Sequence, residues 1–439
     1  MKRGLVLQAI ALHLTAGVPS LAAALTSEPR LGDRLEDRVD DRPEDQAALM
    51  IADTSTDDVV QTDKPWHLTV EGSVGLIRSR DTSPTIAARG ALDFSLDQRV
   101  TPEVQVVFRD RIDDFSQANA SGHHTINTWK EGYVAWRPLP QASVEIGRVN
   151  VRQGVATGYN PTDWFRKGAV RAVPSVAPDS LRQNRQGSMV VRGQWLWDGA
   201  TAFALFSPDL GDSPSQEPFS PDLAATNRSN RFLTGVSAPL TERLQGQLLL
   251  QGDDDQSPQA GLNLSLLVSD AVTTHVEWAG GRSRSQLNEA FGLAPDTAFR
   301  QRLSVGGTWT FDKKVSATLE YQYNSAAPNA SQWQRFWELP PQAHIRYNQY
   351  LADVQDLATR SGAFLFVSWR DALVPRLDLG AMVRLDLVDY SSMHWLELRY
   401  RLPRWDIALQ WQRNIGPLAS TYGSLSQQQS LMLLAALYF

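Results

Sequence analysis

SLMLLAALYF, residues 430–439, decides the fold. Leu431, Leu433, Ala435 and Leu437 fall at every second position, and the run ends on Phe439. Successive side chains of a strand point to opposite faces, so spacing of two describes a strand with one apolar face. The same pattern recurs upstream. Leu68, Val70, Val74 and Leu76 share a face, as do Leu303, Val305, Trp309 and Phe311. Leu377, Leu379, Ala381, Val383 and Leu385 oppose Arg376, Asp378, Arg384 and Asp386.

The connections between these runs alternate in length. Tight ones at 97–98, 138–141, 198–199, 239–243, 270–271, 312–314, 371–374 and 403–405 separate longer ones at 78–87, 110–128, 148–186, 207–230, 253–259, 282–299, 325–361, 387–393 and 415–427. Eight short turns and nine long loops imply about eighteen strands, the even count and alternation of a transmembrane barrel. No run of about 20 apolar residues occurs, which excludes membrane helices. No fixed-period repeat marks a propeller. The fold expected over 66–439 is therefore all-β: a transmembrane antiparallel β-barrel with long extracellular loops and short periplasmic turns. Trp136, Trp197, Trp309, Trp369, Trp395, Trp405 and Trp411 lie near strand ends and are candidates for the interfacial belts.

The ends agree with export. Met1-Lys2-Arg3, an apolar run to Leu14 and the small residues before Ala24 have the order of a secretory signal peptide, expected over 1–24. The chain has no cysteine, which excludes disulfides and thiolate metal sites. Residues 25–65 are acidic and poor in aromatics, the composition of a segment that cannot repay the entropy of ordering. Arg30, Arg34, Arg38 and Arg42 recur every four residues, which could support a short helix ending at Pro43. A solvated periplasmic linker and a peptide docking secretion or synthesis proteins both fit this tail.

The polar faces of the strands should line a lumen, and eighteen strands leave a water-filled one unless loops fill it. Into it the 148–186 connection brings Arg148, Arg152, Arg166, Lys167, Arg171, Arg182 and Arg185, against Asp163 and Asp179. Gly158-Tyr159-Asn160-Pro161-Thr162-Asp163 is a turn whose proline fixes one dihedral and whose Asn and Asp can bond backbone amides. Trp164 and Phe165 offer apolar anchors. A turn with anchors points to a loop folded inward against the wall. Its cations, with Arg192, Arg384 and Arg399 on the strands, would then concentrate anions at a narrow point. The competing reading has these arginines bonded to luminal acids such as Glu131, Glu145 and Glu320 and only holding the loop. Aromatics in 325–361 could stack on sugars, form a lid, or simply pack the loop.

Apolar alternation ending in a C-terminal Phe resembles the closing strand of bacterial outer-membrane barrels. With the signal peptide, the strand count, the mixed-charge lumen and the arginine-bearing loop, the chain resembles the alginate-export-like group of those barrels. That resemblance implies an outer-membrane location and passive export of an anionic exopolysaccharide. A general or substrate-selective diffusion porin for small hydrophilic solutes is the alternative on the same fold, and a structural or adhesion barrel is a second. No catalytic constellation is expected: His123-His124 is the only histidine cluster, and no serine partner accompanies His275. No cofactor or metal is implied, and a net charge of −6 argues against nucleic acid. The expected partners are lipid and a hydrophilic solute or polysaccharide.

Overall fold

The computed structural model describes residues 64–80, 82–118, 122–211, 213–215 and 217–439. The expected signal peptide, and the acidic tail up to residue 63, lie outside the described residues. Among those that are described, eighteen strands run from β1 (Trp66–Ser79) to β18 (Gln427–Tyr438). Each pairs antiparallel with its neighbours in sequence. β1 also pairs with β18, Val74 opposite Leu433 and Gly72 opposite Ala435, so the sheet closes on itself. Lipid offers no partner to an unpaired edge, and closure is the way a sheet satisfies every backbone group there.

Eight short connections leave one end of the barrel and nine, mostly longer, leave the other. Several expected boundaries move. The 110–128 loop shrinks to 116–124, because β3 (Val104–Phe115) and β4 (Thr125–Leu139) pair as far as Asp114 and Thr125, and the 239–243 turn shrinks to 242–243. The first strand of the 97–98 turn continues to Arg99, because Asp97 and Gln98 still pair with Val107 and Val106. The 253–259 loop shrinks to a two-residue turn at 254–255. Pro258 there marks an irregular step in the register between Gln256 and Gln259, and a proline is tolerated where the ladder is already interrupted.

The alternation in the quoted stretch sorts its side chains. Leu433 is 51 % exposed and Met432 only 2 %. Leu431, Leu433 and Leu437 share the outer face with Val70, Val74 and Leu76 of β1. A continuous outer face of Leu, Val, Phe and Trp on a closed sheet is a lipid-facing surface. Trp136, Trp197, Trp309 and Trp405 are exposed beside the short turns, as a headgroup belt requires. Trp395 departs from that expectation. It shares the face of Glu397 and Arg399 on β16 (Ser392–Arg401) and is buried inside with Phe364, Met382 and Met393. Its parity along the strand, rather than its nearness to an end, sets its side.

The interior is not uniformly polar. Three apolar clusters line it, and each contains part of one loop, residues 150–187 between β5 (Ala142–Val149) and β6 (Ser188–Trp197). Ala172 joins Met432, Leu434 and Ala408; Val151 and Phe165 join Phe203, Leu205, Leu233 and Leu249; Ala177 joins the Trp395 group.

The sorting of the quoted strand has a measurable consequence. Leu433→Arg, near the middle of the lipid belt, should lower bilayer-unfolding stability by about 2–4 kcal/mol, and Leu437→Arg, nearer the strand end, by about 0–1 kcal/mol. Equal losses in denaturant titrations of the two refolded variants would refute the assigned depth.

Candidate functional site

The loop 150–187 crosses the whole lumen. It leaves β5, and its tip reaches β11 (Val272–Ser283), β13 (Val315–Asn324) and β14 (Ser361–Trp369). β14 lies nine strands from β5 in a ring of eighteen, which is the opposite wall. Four consecutive backbone amides make the far attachment. Val155 and Ala156 donate to Glu277 of β11 at 2.9 and 3.0 Å. Thr157 and Gly158 donate to Glu320 of β13 at 2.6 and 3.1 Å. Glu277 also accepts from the Thr162 amide and hydroxyl and from the Asn160 side chain, and it is fully buried. A buried carboxylate is tolerable only when its lone pairs are filled, and here five donors fill them.

The tip sequence follows from this contact. Gly154 has φ +99°, and a Cβ there would stand 2.4 Å from a Glu277 carboxylate oxygen. A Cβ on Gly158 would stand 2.4 Å from the Phe364 ring. Two glycines let the backbone lie directly on the wall.

The arginines expected to line the pore divide into groups. Arg185 is buried, with its guanidinium on Asp163 at 2.7 Å, on the Asn150 side chain and on the Val151 carbonyl. Arg166 pairs with Asp356 of the 325–360 loop at 3.2 Å and donates to the Asn160 carbonyl. Arg171 donates to the carbonyls of Asn127, Ser220 and Glu217. Arg192 pairs with Glu145 at 2.7 Å, and Arg399 pairs with Glu397 at 2.8 Å. Arg148 stands on the outward face of β5, one step from the outward pair Ile146 and Val191. It is covered by the 208–230 loop, whose Pro221 carbonyl accepts from it at 2.6 Å. These six guanidiniums hold structure together. Lys167 makes a half-exposed pair with Glu289.

Arg152, Arg182 and Arg384 remain in the lumen. Arg152 lies close to Arg182, Arg185, Arg109 and Glu131; burial lowers its guanidinium to about 10, so it is cationic at neutral pH. Arg182 donates to the Gln153 carbonyl at 3.2 Å, and Arg384 reaches the Gly158 carbonyl at 3.3 Å while lying over the Phe364 ring. Neither Arg182 nor Arg384 makes an ion pair among the described residues. Asp179, beside Arg182 and Arg152, is solvent-exposed yet ringed by protein, as a side chain facing a water-filled lumen would be. The surrounding protein raises its carboxyl, and the two arginines oppose that shift.

Sequence reasoning placed Glu320 in the lumen as an arginine partner and missed its role and that of Glu277. Most of their strap contacts are main-chain amides, which leave no trace in a side-chain pattern. Asp356 was missed as well. It accepts from the Tyr159 hydroxyl at 2.6 Å and pairs with Arg166 and Arg302 at 3.2 and 3.3 Å. Burial opposes its ionisation, but the two arginines outweigh that and hold its carboxyl below the usual range. The aromatics of the 325–360 loop pack on one another: Trp333 and Phe336 stack at 4.9 Å, and both are buried with Tyr347 and Ala290.

No family model and no curated protein matches the chain. Solved structures do. Acinetobacter baumannii OccAB1 superposes with a TM-score of 0.55 at 11 % identity, covering 85 % of this chain and 96 % of that one. Pseudomonas aeruginosa OccK2 (OpdF), in complex with glucuronate, gives 0.53 at 12 % identity, covering 85 % and 96 %. Both are outer-membrane porins. Likeness at this identity shows the fold: a closed eighteen-stranded antiparallel barrel. Neither of these structures is an alginate exporter, so they give the expected resemblance to that group no support and favour the porin alternative. Strand number, an inward loop and a terminal aromatic do not by themselves separate exporters from porins.

Glu277→Gln tests the tip attachment. Hydrogen bonds to a charged group contribute roughly 1.5–3 kcal/mol, and the amide presents N–H where amides must be accepted. The variant barrel should insert normally, while limited proteolysis within 155–162 and open-channel current noise both increase. Wild-type protease resistance and noise would show that the tip is held by other contacts.

Proposed function

We propose that the protein is an outer-membrane diffusion channel selective for small hydrophilic anions, and not an exporter of a polysaccharide chain. One observation carries this: the 150–187 loop runs from wall to wall and is fixed at both sides by buried groups. A polymer needs a continuous bore, whereas a strapped lumen passes only what fits beside the strap. Transport of lipid-insoluble solutes is the use a closed barrel with a polar passage has in a membrane. The glucuronate bound in the OccK2 structure is a small solute of the same class.

The anion preference rests on Arg182 and Arg384, which make no ion pair among the described residues. Fixed charges at a constriction with low-dielectric walls focus the field and raise the local concentration of counter-ions. Arg109 sits at 3.3 Å from Glu131, so that pair adds little net charge. Asp179 stands beside Arg182, and Glu277 and Glu320 are sealed beneath the strap tip, so Arg182 and Arg384 are the cations a solute meets at the strap.

In a planar bilayer with a salt gradient, the wild-type reversal potential should have the sign of anion preference. Arg182→Gln combined with Arg384→Gln should lower the anion-to-cation permeability ratio by roughly twofold or more, with the barrel intact. Arg185→Gln should behave differently. It strands Asp163 in a buried site, a loss of about 3–5 kcal/mol that unfastens the loop and changes conductance and noise. A double variant with wild-type selectivity would remove the anion filter from this reading.

A further inference from the structure

Above the strap, on the side of the long loops, lies a cavity of about 540 Å³. Its floor is the strap itself at Trp164 together with Gln251 and Gln259, which face each other across β9 (Leu244–Asp253) and β10 (Gln256–Ser269). The indole N–H of Trp164 donates to the Gln259 carbonyl at 2.9 Å, which fixes the ring; the Gln259 amide donates one hydrogen to the Gln256 side chain at 3.5 Å and keeps the other for another acceptor. Lys167, Arg228 and Arg284 line the same cavity, one from each of three loops, 150–187, 208–230 and 284–297.

These three cations are not committed as the strap's arginines are. Arg284 is exposed and makes no ion pair among the described residues. Lys167 holds Glu289 at 3.2 Å and Arg228 holds Asp353 at 3.0 Å, with every one of these side chains about one-third exposed. The single Lys167 contact contributes only about 0–1 kcal/mol, so an incoming carboxylate can compete for that cation. Arg228 holds Asp353 through both terminal nitrogens, at 3.0 and 3.1 Å, and its Nε–H is left without an acceptor among the described residues. Asp253 and Asp255 line the cavity from the β9–β10 hairpin. An anion must therefore seat toward the three loops, with its remaining groups over the glutamines.

We propose that this cavity is a capture subsite for small organic anions bearing hydroxyls. The carboxylate is received by Lys167, Arg228 and Arg284, and the hydroxyls turn to the amides of Gln251 and Gln259. The subsite rests on the anion-channel reading, since it feeds the passage beside the strap. Beside the one indole of Trp164 the floor offers the two amides of Gln251 and Gln259, and these set the preference for a hydroxylated anion over one without hydroxyls.

The test uses the full chain in a planar bilayer with glucuronate added on the loop side. Wild-type channels should show current-blocking events; glucose and benzoate at the same concentration should give far fewer. Arg228→Gln with Arg284→Gln should cut the event frequency roughly fivefold, and raised salt should weaken the wild-type frequency in the same direction. The variant's reversal potential should keep the wild-type sign, because the strap's arginines are untouched, and Arg228→Lys with Arg284→Lys should restore the events. An unchanged event frequency in the Gln variant, or blocking by glucose or benzoate as frequent as by glucuronate, overturns the subsite while leaving the channel standing. A wild-type channel with no anion preference overturns the underlying reading instead.

Discussion

Four successive amides, those of residues 155–158, lie on two wall carboxylates, Glu277 and Glu320. The rest of the interior depends on that contact. A loop of this length free in a lumen this wide would sample many positions and define no passage. Bound to two fully sequestered acceptors on the opposite wall, it becomes a fixed partition. The arrangement is mutual: the carboxylates need donors to be buried at all, and the amides of an irregular segment need acceptors away from bulk water. Neither half is stable in place without the other.

The near and middle parts of the strap are held differently. Val151 and Phe165 enter an apolar cluster on the wall of β5 to β9, and Ala172 and Ala177 enter two more. Apolar burial is non-directional, so it fixes where the segment lies but not its register. Register comes from polar contacts with defined geometry, such as Arg185 on Asp163 and Asn150, and Arg166 on Asp356. The second of these also ties the strap to the 325–360 loop, and Arg228 on Asp353 ties the 208–230 loop to the same element. Several loops of one end are thereby a single bonded assembly around the cavity above the strap.

The barrel was legible in the sequence because its signal is periodic and its cause is local. Leu431, Leu433 and Leu437 face lipid since neighbours in a strand alternate, and turns at 198–199, 270–271 and 312–314 fall where the chain places them. Legibility failed where a second element decides the outcome. Pro258 reads as a loop residue, but the partner strand simply accommodates it. Trp395 reads as a belt residue, yet its face belongs to Glu397 and Arg399. The inward course of the 150–187 loop was readable from Pro161, Trp164 and Phe165. Its attachment was not, because main-chain donors carry no residue identity. Residues such as Arg148, covered by a loop far along the chain, cannot be assigned a side from their own surroundings in sequence.

A count of arginines is therefore a poor guide to the charge a solute meets. The strap region is rich in them, yet Arg185, Arg166, Arg192 and Arg399 face acids at close range, while Arg148 and Arg171 are spent on carbonyls. A paired guanidinium contributes little field beyond its partner, and one buried among carbonyls is distant from the water path. In the proposed channel the effective charge comes from cations that face no acid at close range, Arg182 and Arg384 beside the strap and Arg284 above it. Stapling and selecting are thus not rival explanations of the same arginines. Stapling by most of them holds the geometry in which the remainder can select.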